Sequence, residues 1–260
     1  MELVKGAQFL LILSLFTTAA VLWSIRASRS GGSVPTVRRI GGFDAIEEAV
    51  GRATEMGRAV HFSPGIAGVT DVSAPQTFAG LEIMGFTAAM CAKYNAELIV
   101  TIRMPEVLPL AEETVRQAFL SAGKPELFKE STVRFISTEN IAYSAGVIAI
   151  LTREQAAANI MVGAYWAESL LMAEAGANAG AIQIAGTANL HQIAFFVAAC
   201  DYTLIGEELY AGGAYLSKDP MKLGSLRGQD YVKLLATVLV VVGSLLATFG
   251  IDAITRLLKL

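Results

Sequence analysis

Two apolar stretches at opposite ends of the chain limit what it can fold into. Residues 7–25 hold no charged side chain over 19 positions, and residues 234–251 hold none over 18. At 1.5 Å per residue a helix of either length reaches about 27–28 Å, close to the thickness of the hydrocarbon core of a bilayer. We therefore predict an N-terminal transmembrane anchor in residues 1–26, and a C-terminal anchor with a short tail in residues 234–260.

The first apolar stretch has one alternative reading, a cleaved signal peptide. Its length argues against that reading, because the apolar part of a signal peptide usually has about 7–15 residues. Residues 27–39 follow as a linker rich in Ser, Gly and Pro, and residues 216–233 form a basic linker before the second anchor. Whether the first span is cleaved stays open.

Charge is spread unevenly and sets the expected orientation. Basic residues lie on the body side of both spans, which places the body in the cytoplasm under the positive-inside rule and predicts a two-pass protein of the inner membrane. Those basic residues are Arg26, Arg29, Arg38, Arg39, Lys218, Lys222, Arg227 and Lys233. Residues 40–211 carry nine basic and nineteen acidic side chains. An acidic body with basic flanks argues against a nucleic-acid partner and favours the lipid bilayer.

Between the anchors, residues 40–215 alternate helix-like and strand-like segments. Six short apolar runs predict strands at residues 58–63, 96–103, 132–137, 159–162, 181–185 and 202–205. Helices between successive strands indicate an α/β fold with an open, mostly parallel, Rossmann-like sheet covered by helices on both faces. Six units are too few for a (βα)8 barrel. Asp44 with Glu47, and Ser73 with Gln76, have the spacing of helix capping boxes.

Two of the predicted helices are unusually apolar. Residues 141–151 and 190–200 are each too short to cross a bilayer, yet neither offers a clearly polar face. Exposed to water, such helices would form apolar patches larger than monomers normally show. We therefore expect other subunits, the membrane surface, or both to cover them, and predict a homo-oligomer or a larger membrane complex.

Polar side chains gather where the predicted strands end, which is where parallel sheets bind ligands. The loop at residues 185–190 (AGTANL) leaves a strand and enters a helix, so its backbone N–H groups have the direction needed to hold an anion. The candidate ligand-binding residues are Ser63, Thr138, Glu168, Gly186, Thr187, Asn189 and Glu207. Helix capping accounts for the same residue types without any ligand.

Motifs for specific chemistry are missing from the sequence. It contains no GxGxxG, no GxxxxGK[ST] and no GxSxG. His61 and His191 have no Cys or His at metal-ligand spacing, and Cys91 and Cys200 make no CxxC. No catalytic residue and no metal ligand is therefore predicted, and the cofactor is left undetermined.

Three segments resemble a known family: HFSPG at 61–65, GAYWAES at 163–169, and residues 184–215 followed by the second span. Together they are similar to a family of prokaryotic membrane proteins described as a domain of unknown function. The resemblance implies a membrane-anchored domain and supplies no activity. The leading hypothesis is a self-associating structural, scaffold or accessory subunit of a membrane complex. The alternative is an enzyme or sensor that binds an anionic small molecule or nucleotide at the strand ends.

Overall fold

The computed structural model describes residues 8–29 and 38–250. Most of the predicted linker 27–39 and the predicted tail after residue 250 lie outside the described residues. The chain divides into two compact units, one made from its two ends and one formed by Arg39–Leu216. The units are taken separately below.

The body alternates strands and helices as the apolar runs predict. Its strands are β1 (Val60–Gly65), β2 (Leu98–Ile102), β3 (Val133–Phe135), β4 (Ala158–Ala164), β5 (Ile182–Thr187) and β6 (Tyr202–Ile205). Its helices are α2 (Gly41–Met56), α3 (Ala74–Tyr94), α4 (Leu108–Ser121), α5 (Asn140–Arg153), α6 (Glu168–Asn178), α7 (Leu190–Ala199) and α8 (Glu208–Ser217). Two single 3-10 turns, Pro125–Leu127 and Glu130–Thr132, precede β3.

The six described strands form one sheet in the order β3-β2-β1-β4-β5-β6, and every neighbouring pair is parallel. This confirms the predicted α/β fold. Strands β1, β2, β4 and β5 are buried along their whole length. Burial on both faces explains why their sequences read as short continuous apolar runs rather than as alternating ones.

Helices cover the sheet on both faces. Helices α2, α3 and α4 pack on one face, and α5, α6 and α7 pack side by side on the other. The second face holds a core of fully buried side chains that includes Tyr143, Val147, Met161, Met172 and Phe196. The ring of Tyr165 meets Phe196 edge-on, with 5.6 Å between the ring centroids.

Neither predicted capping box forms. Helix α2 begins at Gly41 after Ile40, three residues before Asp44. The Asp44 carboxylate instead pairs with Arg39 and accepts a hydrogen bond of 2.7 Å from the Tyr215 hydroxyl. These partners hold the pKa of Asp44 below its usual value, the Arg39 hydrogen bond first and the Tyr215 hydrogen bond second. A distant hydroxyl has taken the place of the local backbone partner.

The second expected capping box shows the same competition. Ser73 does precede α3, but its side chain makes no capping hydrogen bond. Gln76, the expected partner, turns away to the loop after β5, as described below. A capping pattern thus located the helix start correctly while giving the wrong partners for its side chains.

The other unit pairs α1 (Gln8–Arg29) with α9 (Pro220–Thr248). A Cβ on Gly228 would lie 2.7 Å from Val21 Cα, and one on Gly224 would lie 3.0 Å from Ile25 Cα. These glycines are four residues apart, so the helices meet through a GxxxG surface that lies before the second apolar stretch rather than inside it. Within the described residues, Leu11–Arg29 and Pro220–Thr248 are long and apolar enough to cross a membrane.

Candidate functional site

The strand order creates one place where a ligand site is expected. Strands β1 and β4 are neighbours, although the chain leaves β1 toward one edge of the sheet and β4 toward the other. In open parallel sheets, ligands bind outside the carboxyl ends of the strands at this reversal point. The carboxyl ends of β1 and β4 therefore define the region in which to look for chemistry.

At this point the two strands approach more closely than side chains would permit. The pairing of β1 with β4 shifts register between Ser63 and Gly65. Gly65 has φ +96°, and a Cβ there would lie 2.7 Å from Ala164 N and 2.8 Å from Ala164 O. Gly163 has φ +152°, and a Cβ on it would collide with the Pro64 carbonyl oxygen. Both positions require glycine, and the close contact lets Ile66 N donate to Ala164 O at 2.9 Å.

Three buried hydroxyls meet just below this contact. Ser63 Oγ lies 2.7 Å from the hydroxyl of Tyr143 on α5 and 2.7 Å from that of Tyr165 after β4. Tyr165 also lies 2.9 Å from the Ser63 carbonyl oxygen, to which its hydroxyl can donate. Burial raises the pKa of both tyrosines, so both hydroxyls stay protonated at neutral pH. Ser63 has no general base in contact among the described residues, and the cluster positions these elements rather than activating a nucleophile.

A buried hydrogen-bonded chain continues from this cluster across four strands. Tyr143 Oη is 3.1 Å from Thr101 Oγ1 on β2, and Thr101 Oγ1 is 2.9 Å from His61 Nε2 on β1. His61 Nδ1 is 2.8 Å from Asn159 Oδ1 on β4, and Asn159 Nδ2 donates to Gln183 Oε1 on β5 at 3.1 Å. Every side chain of this chain is at least nine-tenths buried. We call these seven side chains the polar chain; in bonding order they are Tyr165, Ser63, Tyr143, Thr101, His61, Asn159 and Gln183.

The far end of the polar chain fixes its direction. Gln183 Nε2 donates to the Ala199 carbonyl oxygen at 3.0 Å, so Gln183 Oε1 must face Asn159. Asn159 then presents its oxygen to His61, which must carry its proton on Nδ1. His61 Nε2 is left as an acceptor for the Thr101 hydroxyl. Each group is satisfied in this arrangement, which suits a polar network inside an apolar core.

The imidazole of His61 is held neutral. Burial is the main cause that lowers its pKa to about 4, the Asn159 hydrogen bond opposes this, and the nearby Arg134 lowers it further. His61 is thus a fully buried core histidine. The hydrogen bond that Nε2 accepts from Thr101 requires the neutral form, whereas Nδ1–H donates to Asn159 in either form.

Gln76 of α3 holds the loop at residues 185–190 through three hydrogen bonds. Gln76 Oε1 accepts from Ala188 N at 2.9 Å and from Thr187 Oγ1 at 3.2 Å, and Gln76 Nε2 donates to Asn189 Oδ1 at 2.9 Å. Asn189 Nδ2 donates to the Tyr165 carbonyl oxygen at 2.8 Å. The N–H of Asn189 is also used, by Thr187 Oγ1. Two of the N–H groups expected to face an anion therefore already have protein partners.

The structure groups five of the seven predicted site residues. Ser63, Thr187 and Asn189 are linked through Tyr165 and Gln76, and Gly186 precedes Thr187 within β5. Glu168 begins α6 beside them, where its Oε1 accepts from Trp166 N at 2.9 Å. Its negative charge adds to the burial that raises the pKa of Tyr143 and Tyr165.

Thr138 and Glu207 lie apart from this group. Thr138 follows β3 and Glu207 follows β6, the two opposite edge strands, and both are exposed. Five strand spacings of about 4.8 Å separate those edges by about 24 Å. These two residues do not converge on one ligand with each other.

Sequence reasoning passed over Gln76 and most members of the polar chain. One signal was present: Thr101, His61, Asn159 and Gln183 are polar residues inside strands that consist mostly of apolar side chains. In a sheet buried on both faces, such residues must find partners on neighbouring strands. Recognising this required the strand order, which the sequence does not provide.

Arg103 and Glu106 belong to the polar residues that follow the strands, but they are not among the seven candidate ligand-binding residues. Arg103 follows β2, and its Nη1 donates to the Ile66 carbonyl oxygen at 2.6 Å. Its Nε is buried and makes no hydrogen bond within residues 8–29 and 38–250. Glu106 stands against the loop after β1, where any side chain at Gly68 would collide with its carboxylate.

No cluster of three or more His, Cys, Asp or Glu side chains suited to a metal ion occurs among the described residues. No curated protein and no solved structure was found to match the chain. One family model does match it, over residues 2–258, and this confirms the resemblance to a domain of unknown function. The chain belongs to that family, which is described as "Domain of unknown function (DUF6754)".

Proposed function

We propose that this protein is a membrane-anchored α/β domain that self-associates and serves as a structural or accessory subunit of a membrane complex. In this proposal α1 and α9 cross the inner membrane, and the basic residues beside them keep the body in the cytoplasm. The observation that carries the proposal is an exposed apolar surface on α5, α6, α7 and the loop before α6.

Large apolar side chains crowd this surface. The most exposed are Ile141 (86%), Leu190 (79%), Val197 (56%) and Leu171 (54%). The remaining members are Trp166, Leu170 and Phe195. Helix α5 packs against α6, and α6 against α7, so these side chains share one outer surface. We call these seven residues the outer apolar surface.

Its size exceeds what a monomer usually exposes. At about 180 Å² for a fully exposed large apolar side chain, the seven residues present roughly 700 Å². The largest apolar patch on a typical monomer is about 300–600 Å². A stable interface buries about 800 Å² on each partner, so the outer apolar surface has the extent of one side of such an interface.

A second copy of the chain suits this surface better than lipid. Glu139 and Glu168 flank it at the starts of α5 and α6, and acidic side chains repel anionic headgroups. Two membrane anchors would hold all copies in one plane at one height, which raises their effective concentration. Homodimer interfaces are also more apolar than transient ones.

Light scattering of the full chain in detergent tests the proposal. The wild-type protein is expected to have a protein mass at least twice that of the 27.5 kDa chain. Replacing Ile141 and Leu190 by glutamate should give monomers, because burying two unpaired charges at the contact costs more than the apolar contact returns. Val72→Glu is the matched control, since Val72 is 99% exposed and lies in the loop before α3, a helix of the other face of the sheet.

Monomeric wild-type protein in several mild detergents would overturn self-association. So would an I141E/L190E variant that keeps its mass, or a V72E variant that dissociates to the same degree. Circular dichroism checks that each variant remains folded.

A second candidate function is supported by the strand order. The order β3-β2-β1-β4-β5-β6 is that of doubly wound folds that bind nucleotides at the β1/β4 reversal. Under this candidate the domain is an enzyme or sensor that binds an anionic small molecule at the carboxyl ends of the strands. Fold alone does not establish such a role, which must come from specific side chains.

A further inference from the structure

Arg103 is a cation with most of its hydrogen-bonding capacity unused. It follows β2 and reaches over the end of β1, where Nη1 donates to Ile66 O at 2.6 Å. A guanidinium has five N–H donors. In the described part of the chain it makes this one hydrogen bond and no ion pair, and its buried Nε has no partner. Buried donors are almost always paired, so this one calls for an acceptor.

The loop from β1 to α3 lies directly beside Arg103. Asp71 within that loop makes no ion pair with Arg103; its Oδ2 accepts from Gly68 N at 2.9 Å and its Oδ1 from Ser73 N at 2.8 Å. Thr77 Oγ1 donates to the Gly68 carbonyl oxygen at 3.0 Å. The loop is thus held in place by its own contacts, and Arg103 stays available to a ligand.

Glu106 supplies a carboxylate at the same place. It lies against Gly68, four residues after the end of β2, and its side chain makes no hydrogen bond or ion pair within the described residues. A cation and a carboxylate that are not paired with each other suit a ligand carrying both an anionic group and hydrogen-bond donors. A guanidinium binds two oxygens of a phosphate side by side, and a carboxylate accepts from hydroxyls.

We infer that Arg103 and Glu106 form a subsite for a small phosphorylated molecule that carries hydroxyl groups, with nucleoside phosphates as the representative class. Arg103 holds the phosphate, and Glu106 accepts from a sugar hydroxyl. In this fold the end of the second strand is where the ribose and its substituents meet the protein, and β2 occupies that position. The inference rests on the second candidate function and names its ligand class.

Calorimetric titration of the full chain in detergent tests the subsite. The probes are AMP, adenosine, inorganic phosphate and citrate, which separate phosphate, hydroxyl and carboxylate recognition. AMP is expected to bind, and adenosine at least about tenfold more weakly because it offers Arg103 no anion. Arg103→Gln should weaken AMP about tenfold or more. Glu106→Gln should weaken AMP while leaving inorganic phosphate unchanged.

Two further variants separate binding from folding. Arg103→Lys keeps the charge but loses the two-pronged geometry, so its AMP affinity should fall between those of wild type and R103Q. Arg116→Gln is the matched control, because Arg116 is an exposed arginine of α4 whose nearest carboxylate is Glu113 at 3.9 Å. Where R103Q does not fold, R103K decides.

The outcomes distinguish the subsite from the candidate function beneath it. If no probe binds wild-type protein, both are overturned for this ligand class. If AMP binds and neither Arg103 variant changes its affinity, ligand binding stands and the Arg103 assignment is overturned. Citrate binding more tightly than AMP would overturn the phosphate assignment.

Discussion

Acidification should destabilise the body through His61 in a way that can be measured directly. The folded protein holds this imidazole neutral with a pKa of about 4, against 6.5 for the unfolded chain. Between these values the unfolded state binds a proton that the folded state refuses, so stability rises with pH. The contribution of neutral His61 to the free energy of unfolding is complete above pH 6.5 and is lost as pH falls from 6.5 through 4.

The size of the effect follows from the two pKa values. A difference of about 2.5 pKa units at about 1.4 kcal/mol per unit gives a loss of about 3 kcal/mol once pH is below 4. Between pH 7 and pH 5 the same linkage gives about 2 kcal/mol. That is a large part of the stability of a typical domain, about 5–15 kcal/mol.

Urea unfolding at pH 7 and pH 5 would measure it on the full chain in detergent. Carboxylates such as Asp44 also respond to acid, so the informative quantity is the difference between wild type and His61→Gln, in which their contribution cancels. H61Q should lose about 2 kcal/mol less than wild type over this range. His191→Gln, which replaces the exposed histidine, is the matched control. Equal slopes for wild type and H61Q would refute the reasoning.

Two further predictions concern contacts between distant parts of the chain. Gln76→Leu should cost about 2–4 kcal/mol in urea unfolding, because Ala188 N and Asn189 Oδ1 lose their partner and the Thr187 hydroxyl loses its acceptor. Exposed Gln117→Leu should cost less than about 0.5 kcal/mol, and equal losses would contradict the role of Gln76. Ser28→Cys with Gly224→Cys should form an intrachain disulfide under mild oxidation, because a Cβ on Gly224 would lie 2.8 Å from Ser28 Oγ. Ser28→Cys with Val238→Cys is the control and should stay reduced. Mass spectrometry of the linked peptides distinguishes the two, and the reverse pattern would reject the α1–α9 packing.

The strands were predictable because each is short, apolar and bounded by turn residues. Burial on both faces of a parallel sheet forces that composition, and the sequence shows it without knowledge of any partner. The alternation with helices then restricts the topology to a doubly wound sheet. All six strands overlap their predicted positions.

The candidate site was less predictable because its contacts join residues far apart in the chain. Gln76 and Thr187 are 111 residues apart, and Ser63 and Tyr165 are 102 apart. Local patterns predicted that Gln76 would cap α3 together with Ser73. In the structure its side chain instead bonds to residues 187–189, which are close in space but distant in the sequence. Thr138 and Glu207 show the converse, since residues that both follow strands come together only when those strands are neighbours.

The polar chain also acts as a lock against strand slippage. In a sheet that is apolar on both faces, a strand shifted by one residue would still bury acceptable side chains, so packing alone selects the register weakly. Shifting β4 by one residue would turn Asn159 to the opposite face, leaving His61 Nδ1–H and Gln183 Oε1 without their partners. That penalty falls on every wrong pairing of β1, β4 and β5. The otherwise apolar sheet is thereby restricted to one strand register, which the neutral imidazole of His61 and the amides of Asn159 and Gln183 select at its centre.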